Sequence, residues 1–364
     1  MLRQAFQFDI ASYIPALWFR GNCGGGRAGV QAGGRAARLG GTMDLGECSA
    51  AAPDQSRDLA EVLRLIRDCC YLQAKRKYDE LVNMYKLPEG WLPSGDAGAK
   101  EAIERMIQRE RECLQVLHDV SFDESKWILA STHFGITCHY QVEEDGIVQV
   151  RMEGSLADLP MFEQACVIHE VDYFKTWIPF CNDSQTVDKI GYADIVALIS
   201  LFIPPIGRDT LIYAYAADCL HESNKIIISG KSIESWKDTP LRPTGWFHDR
   251  MDIQKFLATI EVTSPISAKT CIIAKVDPRT ILPKSLVNIV VRNLAGLMLY
   301  FFQNKVKEVV KHPEGDHAKR IRENPHFYKE WLLPKLIDYC SAKGWDRPTA
   351  DYWPNKEDSL PPST

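Results

Sequence analysis

PKSLVNIVVRNLAGLMLYFFQNKVKEVV, residues Pro283 to Val310, is the stretch whose reading decides the fold. Pro283 sits where a missing N–H costs a helix nothing, and His312-Pro313 supplies a stop. Leu286, Val290, Leu294, Leu297 and Phe301 make one stripe at helical spacing, and Val287, Val291, Met298 and Phe302 make a second about 100° away. A helix this apolar around its girth is buried in a core, inserted in a membrane, or closing an apolar cavity. Arg292, Asn293, Lys305 and Lys307 argue against a bilayer span. Five cations, Lys284, Arg292, Lys305, Lys307 and Lys311, face the single Glu308, so the element carries a local positive charge suited to anionic headgroups.

Upstream, from Ser121 onward, short runs rich in Ile, Val, Thr and Tyr alternate with Gly, Pro and Asp, the pattern of strands and turns. Strands are predicted at Lys126 to Ser131, Gly135 to Val142, Ile147 to Ser155, Thr186 to Tyr192, Ile195 to Phe202, Thr210 to Leu220, Lys225 to Ser232, Phe256 to Val262 and Lys269 to Val276. Glu144-Asp145-Gly146 reads as a hairpin turn. Two short helical pieces fit Leu159 to Val167 and Asp172 to Ile178. The result is an α+β domain with about nine strands.

Further upstream, Leu59, Val62, Leu63, Ile66, Cys70, Ala74, Tyr78, Leu81 and Tyr85 recur at three and four residues, which predicts one helix to Leu87, ended by Pro88 and Gly90. A second helix is predicted from Ala99 to His118. Together they read as a hairpin that either packs on the main domain or binds a protein partner. Gly21 to Gly46 is dominated by Gly, Ala and Arg and reads as flexible. The expected organisation is a flexible extension over residues 1–55, a helical hairpin over 56–120, the α+β domain over 121–312 and a C-terminal extension over 313–364. In that extension Trp331, Leu332, Leu333, Leu336, Ile337 and Tyr339 form a short amphipathic helix, expected to dock back on the domain.

The chain of 364 residues has a formal net charge of −5, which excludes a global field for nucleic acid and confines any membrane attraction to local patches. Its 11 cysteines contain no C-x-x-C pair, and they read as free thiols in a reducing, cytoplasmic setting. Cys166 and His169 share a helical spacing, but no second ligand pair accompanies them, so no metal or other cofactor is expected. Asp194, His221, His248 and Asp249 are the isolated acid-base candidates. The sequence shows no nucleophile elbow, phosphate-binding glycine loop or metal motif.

Three segments together resemble the START (StAR-related lipid-transfer) domains over about Ser121 to Val310. Asp172-Tyr173-Phe174-Lys175-Thr176-Trp177 is similar to the family's short helix ending in Trp. Ile203-Pro204-Pro205-Ile206-Gly207-Arg208-Asp209 resembles its proline-containing loop, and Val276-Asp277-Pro278-Arg279-Thr280-Ile281-Leu282-Pro283-Lys284 leads into the closing helix as in the family.

The resemblance implies a helix-grip fold, a curved antiparallel sheet of nine strands around a long C-terminal helix and a hydrophobic tunnel. It implies one bound lipid, a phospholipid, sterol or other, transferred or sensed between membranes with transient contact at their surface. Tyr213, Tyr215, Leu286, Val290, Asn293, Leu294, Leu297 and Phe301 are the expected lipid-lining residues, with Asp194 or Ile195 beside them. Pro204, Pro205, Gly207 and Arg208 are the expected gate loop, in which Arg208 and Asp209 read as a clamp. Two departures bear on the ligand. Phe174 stands where phosphocholine-gripping members have an arginine, and Ala214 stands where some sterol-binding members have one. No catalysis is expected. The alternatives are an enzyme of cyclase or hydrolase type on the same scaffold, or a lipid-gated regulator acting through the Leu59 to His118 hairpin.

Overall fold

Cys69 breaks what the apolar spacing reads as one long helix. The computed structural model describes residues 53–121, 125–143, 147–203, 206–245, 248–277, 279, 295–348 and 352–353. In it α1 (Pro53–Arg67) and α2 (Tyr71–Met84) are separate helices. Cys69 takes φ 62°, a left-handed conformation uncommon for a residue with a Cβ, and its carbonyl accepts the Asp218 N–H at 2.9 Å. That bond to a strand compensates the strained turn. α3 (Ala97–Asp119) starts at Asp96, whose carboxylate accepts the Ala99 N–H at 2.9 Å as an N-cap. The N-terminal layer is therefore three helices and not a hairpin. Most of residues 1–55, including the Gly/Ala/Arg stretch, lie outside the described residues.

The strands are β1 (Ile128–His133), β2 (Ile136–Val142), β3 (Val148–Ala157), β4 (Cys181–Lys189), β5 (Asp194–Ile203), β6 (Ile206–Cys219), β7 (Lys225–Ser232), β8 (His248–Arg250), β9 (Asp252–Ser264) and β10 (Ser267–Asp277). Between β3 and β4 lie α4 (Met161–His169) and a 3-10 turn (Val171–Thr176). Nine strands run in the order β1-β2-β3-β10-β9-β7-β6-β5-β4, every neighbour antiparallel. The short β8, absent from the predicted strands, pairs in parallel with the start of β6. The β2–β3 pairing is the expected hairpin, though Glu144-Asp145-Gly146 fall outside the described residues.

Period-two alternation gives this sheet two apolar faces. On the outer face Tyr215, Ala217, Cys219, Ile227, Leu257 and Ile273 share one cluster with Val62, Leu65, Tyr71, Tyr78, Ile103, Met106, Cys113 and Val116 of α1–α3. Arg109 of α3 is buried at that joint. Its guanidinium donates to the Tyr213 hydroxyl at 2.6 Å and lies 3.3 Å from the Asp194 carboxylate, with its carbon 3.4 Å above the Tyr215 ring centroid. Tyr213 also donates to Asp194 at 2.8 Å.

The chain continues, after residues outside the description, as α6 (Ala295–Lys311) on the inner face; α5 is the single turn Leu220–Ser223. α7 (Asp316–Glu323), a π-helical turn (His326–Leu332) and α8 (Leu333–Ala342) follow. Gly344, at φ 69°, lets the chain turn back so that the Trp345 N–H reaches the Cys340 carbonyl at 2.9 Å. Phe327, Tyr328, Leu332, Leu336 and Tyr339 share a cluster with Phe162 and Cys166 of α4. At its centre Glu170 accepts the Tyr328 hydroxyl at 2.6 Å, meets His169 Nδ1 at 3.1 Å, and has Arg320 Nε at 3.5 Å.

Two predictions follow from these joints. Arg109→Ala strands the buried Asp194 carboxylate, so the urea midpoint of unfolding should fall by the equivalent of about 3–5 kcal/mol. Pairing that change with Asp194→Asn should recover part of the loss, and full independence of the two changes would refute the coupling. For Glu170, burial raises the carboxyl's pKa, but the His169 hydrogen bond and charge and the Tyr328 hydroxyl outweigh it and hold the group down at about 2. A depressed carboxyl contributes stability above its unfolded value of 4.5 that is lost as pH falls toward 2. Acid titration followed by tryptophan fluorescence should show the C-terminal helices loosening in that window, and Glu170→Gln should flatten the dependence.

Candidate functional site

Paired residues of an antiparallel ladder point to the same side, so the register carries the inner face across the sheet in straight rows. One row is Ile195, Ala214, Gly230, Phe256, Ala274, Val150 and Tyr140. The next is Ala216, Ile228, Ala258, Ile272, Met152 and Cys138, and the third is Ile226, Ile260, Thr270, Gly154 and Ile136. α6 lies over the β2–β3 side of these rows. Its Leu299, Phe302, Val306 and Val309 form one cluster with Ile136, Cys138, Met152, Leu156 and Ile260. Gly154 permits this approach, because a Cβ there would stand 2.8 Å from Leu299 Cδ2.

Away from that footprint the covering thins. Ile195, Ala214, Phe256, Ala274 and Val150 of the first row, and Ile212, Ile199 and Leu201 beyond it, are only half-buried. Their outer-face neighbours Val196, Leu211, Tyr215, Leu257 and Ile273 are fully buried. The half-buried floor is also low, since Ala214, Gly230 and Ala274 sit in one row and a Cβ on Gly230 would meet that of Ala214 at 3.2 Å. An apolar surface of this shape offers contact area and no directional bonds. At the β5–β6 end Thr210 and Ser232 share a hydroxyl–hydroxyl bond of 2.8 Å, and Arg208 donates to the Gly207 carbonyl at 2.9 Å.

Several sequence expectations change here. Tyr213 and Tyr215 do not face α6; they lie on the outer face, held by Arg109, because odd-numbered positions of β6 point to α1–α3. Asp194, opposite Tyr215 in the register, goes with them, while Ile195 is on the inner face. Leu297 and Phe301 fall on the side of α6 away from the stripe that meets the sheet and stay half-buried. Gly207 and Arg208 belong to β6, paired with Phe202 and Leu201, and not to a loop. Pro204, Pro205, Leu286, Val290, Asn293 and Leu294 lie outside the described residues. Ile212, Ala214 and Ala216, the inner-facing residues of β6, carry no aromatic or polar mark that sets them apart in the sequence.

The acid-base candidates are dispersed. Asp194 is tied to Arg109, His221 is exposed and 3.4 Å from Asp338, and His248 sits 2.8 Å from Asp209 on the short β8 pairing. His169 is engaged with Glu170, and burial, above all, lowers its pKa. Among the described residues no group of three or more His, Cys, Asp or Glu stands where it would hold a metal ion, and no helix is long and apolar enough to cross a membrane.

No protein-family model and no curated protein matches the sequence. Solved structures do match. Human STARD10 is 20% identical, with a TM-score of 0.50 over 62% of this chain and 87% of its own. Human StAR-related lipid transfer protein 5 is 15% identical, with a TM-score of 0.46 over 56% and 96%. The human StarD13 lipid transfer and protein localization domain is 14% identical, with a TM-score of 0.42 over 54% and 95%. With its nine-strand antiparallel sheet, N-terminal helices and C-terminal helix, the chain has the helix-grip fold of the StAR-related lipid-transfer domains.

Proposed function

We propose that this chain binds one lipid between the inner face of its sheet and α6, and carries or senses it between membranes without catalysing a reaction. The half-buried apolar row Ile195, Ala214, Phe256, Ala274 and Val150 carries the reading. A lipid chain laid there removes its own surface and this floor from water. Burying about 300 Å² of apolar area at about 25 cal/mol per Å² contributes about 7 kcal/mol, ample for a carrier that must also release its cargo. A non-catalytic role is supported by the dispersal of Asp194, His221 and His248, since general acid-base chemistry needs two groups on one substrate. The apolar stripes of α1–α3 are engaged in covering the outer face.

Native mass spectrometry of the purified chain, followed by solvent extraction, tests the reading. One lipid per chain is expected. Ala214→Trp raises the floor beneath the ligand and should cut occupancy to below about a tenth, which from near-full occupancy takes about 2.6 kcal/mol or more. A folded Ala214→Trp protein with full occupancy would sink the proposal.

A further inference from the structure

Between β7 and β8 the chain runs Trp236-Lys237-Asp238-Thr239-Pro240-Leu241-Arg242-Pro243-Thr244, outside every strand of the sheet. Proline fixes its own φ near −65° and disfavours helical backbone at the residue before it. Thr239, Pro240, Arg242 and Pro243 are therefore all biased toward the extended polyproline II conformation. The structure agrees with that bias, since residues 239–244 adopt no helix, strand or turn and none of them has a positive φ. At three residues per turn, Pro240 and Pro243 lie on one ridge. Both are exposed, as is Arg242, while Leu241 is half-buried.

The segment is held at its two ends and left open between them. Before it, the Trp236 indole N–H donates to the Asp188 carboxylate at 2.9 Å, and Lys237 donates to the same oxygen at 2.5 Å. Lys237 takes φ 47° and turns the chain there. After it, Gly245 and His248 exchange backbone hydrogen bonds of 2.6 and 3.2 Å, and β8 pairs with β6. The Arg250 guanidinium donates to the Arg242 carbonyl at 3.2 Å. Among the described residues the carbonyls of Thr239, Pro240, Leu241 and Pro243 accept no hydrogen bond, and Arg242 forms no ion pair.

A Pro-x-x-Pro ridge with open carbonyls beside an unpaired cation suits a groove lined by aromatic rings and edged by carboxylates. The rings pack on the prolines, ring-borne N–H and O–H donors reach the carbonyls, and a carboxylate takes the guanidinium. Anchorage at both ends reduces the ordering cost that a free peptide meets on binding. We propose that residues 239–244 are the docking segment for a partner protein that carries a polyproline-binding groove of the SH3 type, with an acidic rim. The assignment stands apart from the lipid reading, because none of these residues belongs to the inner rows.

Binding of the full chain to a broad panel of purified SH3 domains tests it, each domain prepared also with its groove tryptophan changed to alanine. At least one domain should hold the wild-type chain and release it on that change. Pro240→Ala with Pro243→Ala should weaken the binding about tenfold or more, and Arg242→Glu should weaken it to a similar degree. Both variants should keep the wild-type thermal midpoint and lipid occupancy, because the altered side chains are exposed. A chain that no domain holds, or one held equally well after either set of changes, overturns the docking segment.

Discussion

One sheet with two apolar faces must have both covered, and the rest of this molecule follows from how that is done. α1–α3 cover the middle of the outer face, and large side chains serve it there: Tyr213, Tyr215, Ile227, Leu257 and Ile273. The inner face of the same strands carries Ala214, Ala216, Gly230, Ala258 and Ala274. Along the Ala214, Gly230 and Ala274 row the inner side is therefore low, although Phe256, Ile228 and Ile272 also stand on the inner face.

Much of the fold was legible in the sequence. The β-branched runs, their turn residues and the three motif segments together place the sheet and the helix that closes it. The site was less legible, for a physical reason. In β6 both parities are apolar, Ile212, Ala214 and Ala216 on one side and Tyr213, Tyr215 and Ala217 on the other, so alternation marks a strand without saying which side is inner. Only contact with Arg109 decides it. The same ambiguity holds for α6. Because its girth is apolar nearly all round, periodicity does not choose between the Leu297–Phe301 side and the Leu299–Phe302 side. The break at Cys69 carries no Gly or Pro; it is set by a bond to Asp218, about 150 residues away.

Directional and non-directional forces are separated in space. Arg109 with Asp194, and Glu170 with Arg320, His169 and Tyr328, lie where appended helices meet the sheet domain. A buried ion pair contributes little net stability but penalises every misaligned arrangement, because a displaced partner leaves a charge uncompensated. Those joints therefore fix position. The described inner rows are held by dispersion and exclusion of water, which have no preferred angle and vary little as one apolar body slides past another. The proposed carrier role, a rigid frame around an interior that accepts and releases an apolar ligand, is compatible with this division. Were the buried charges moved to the inner rows, each would demand one matched polar group from the ligand, and exchange would then break a desolvated pair at every transfer.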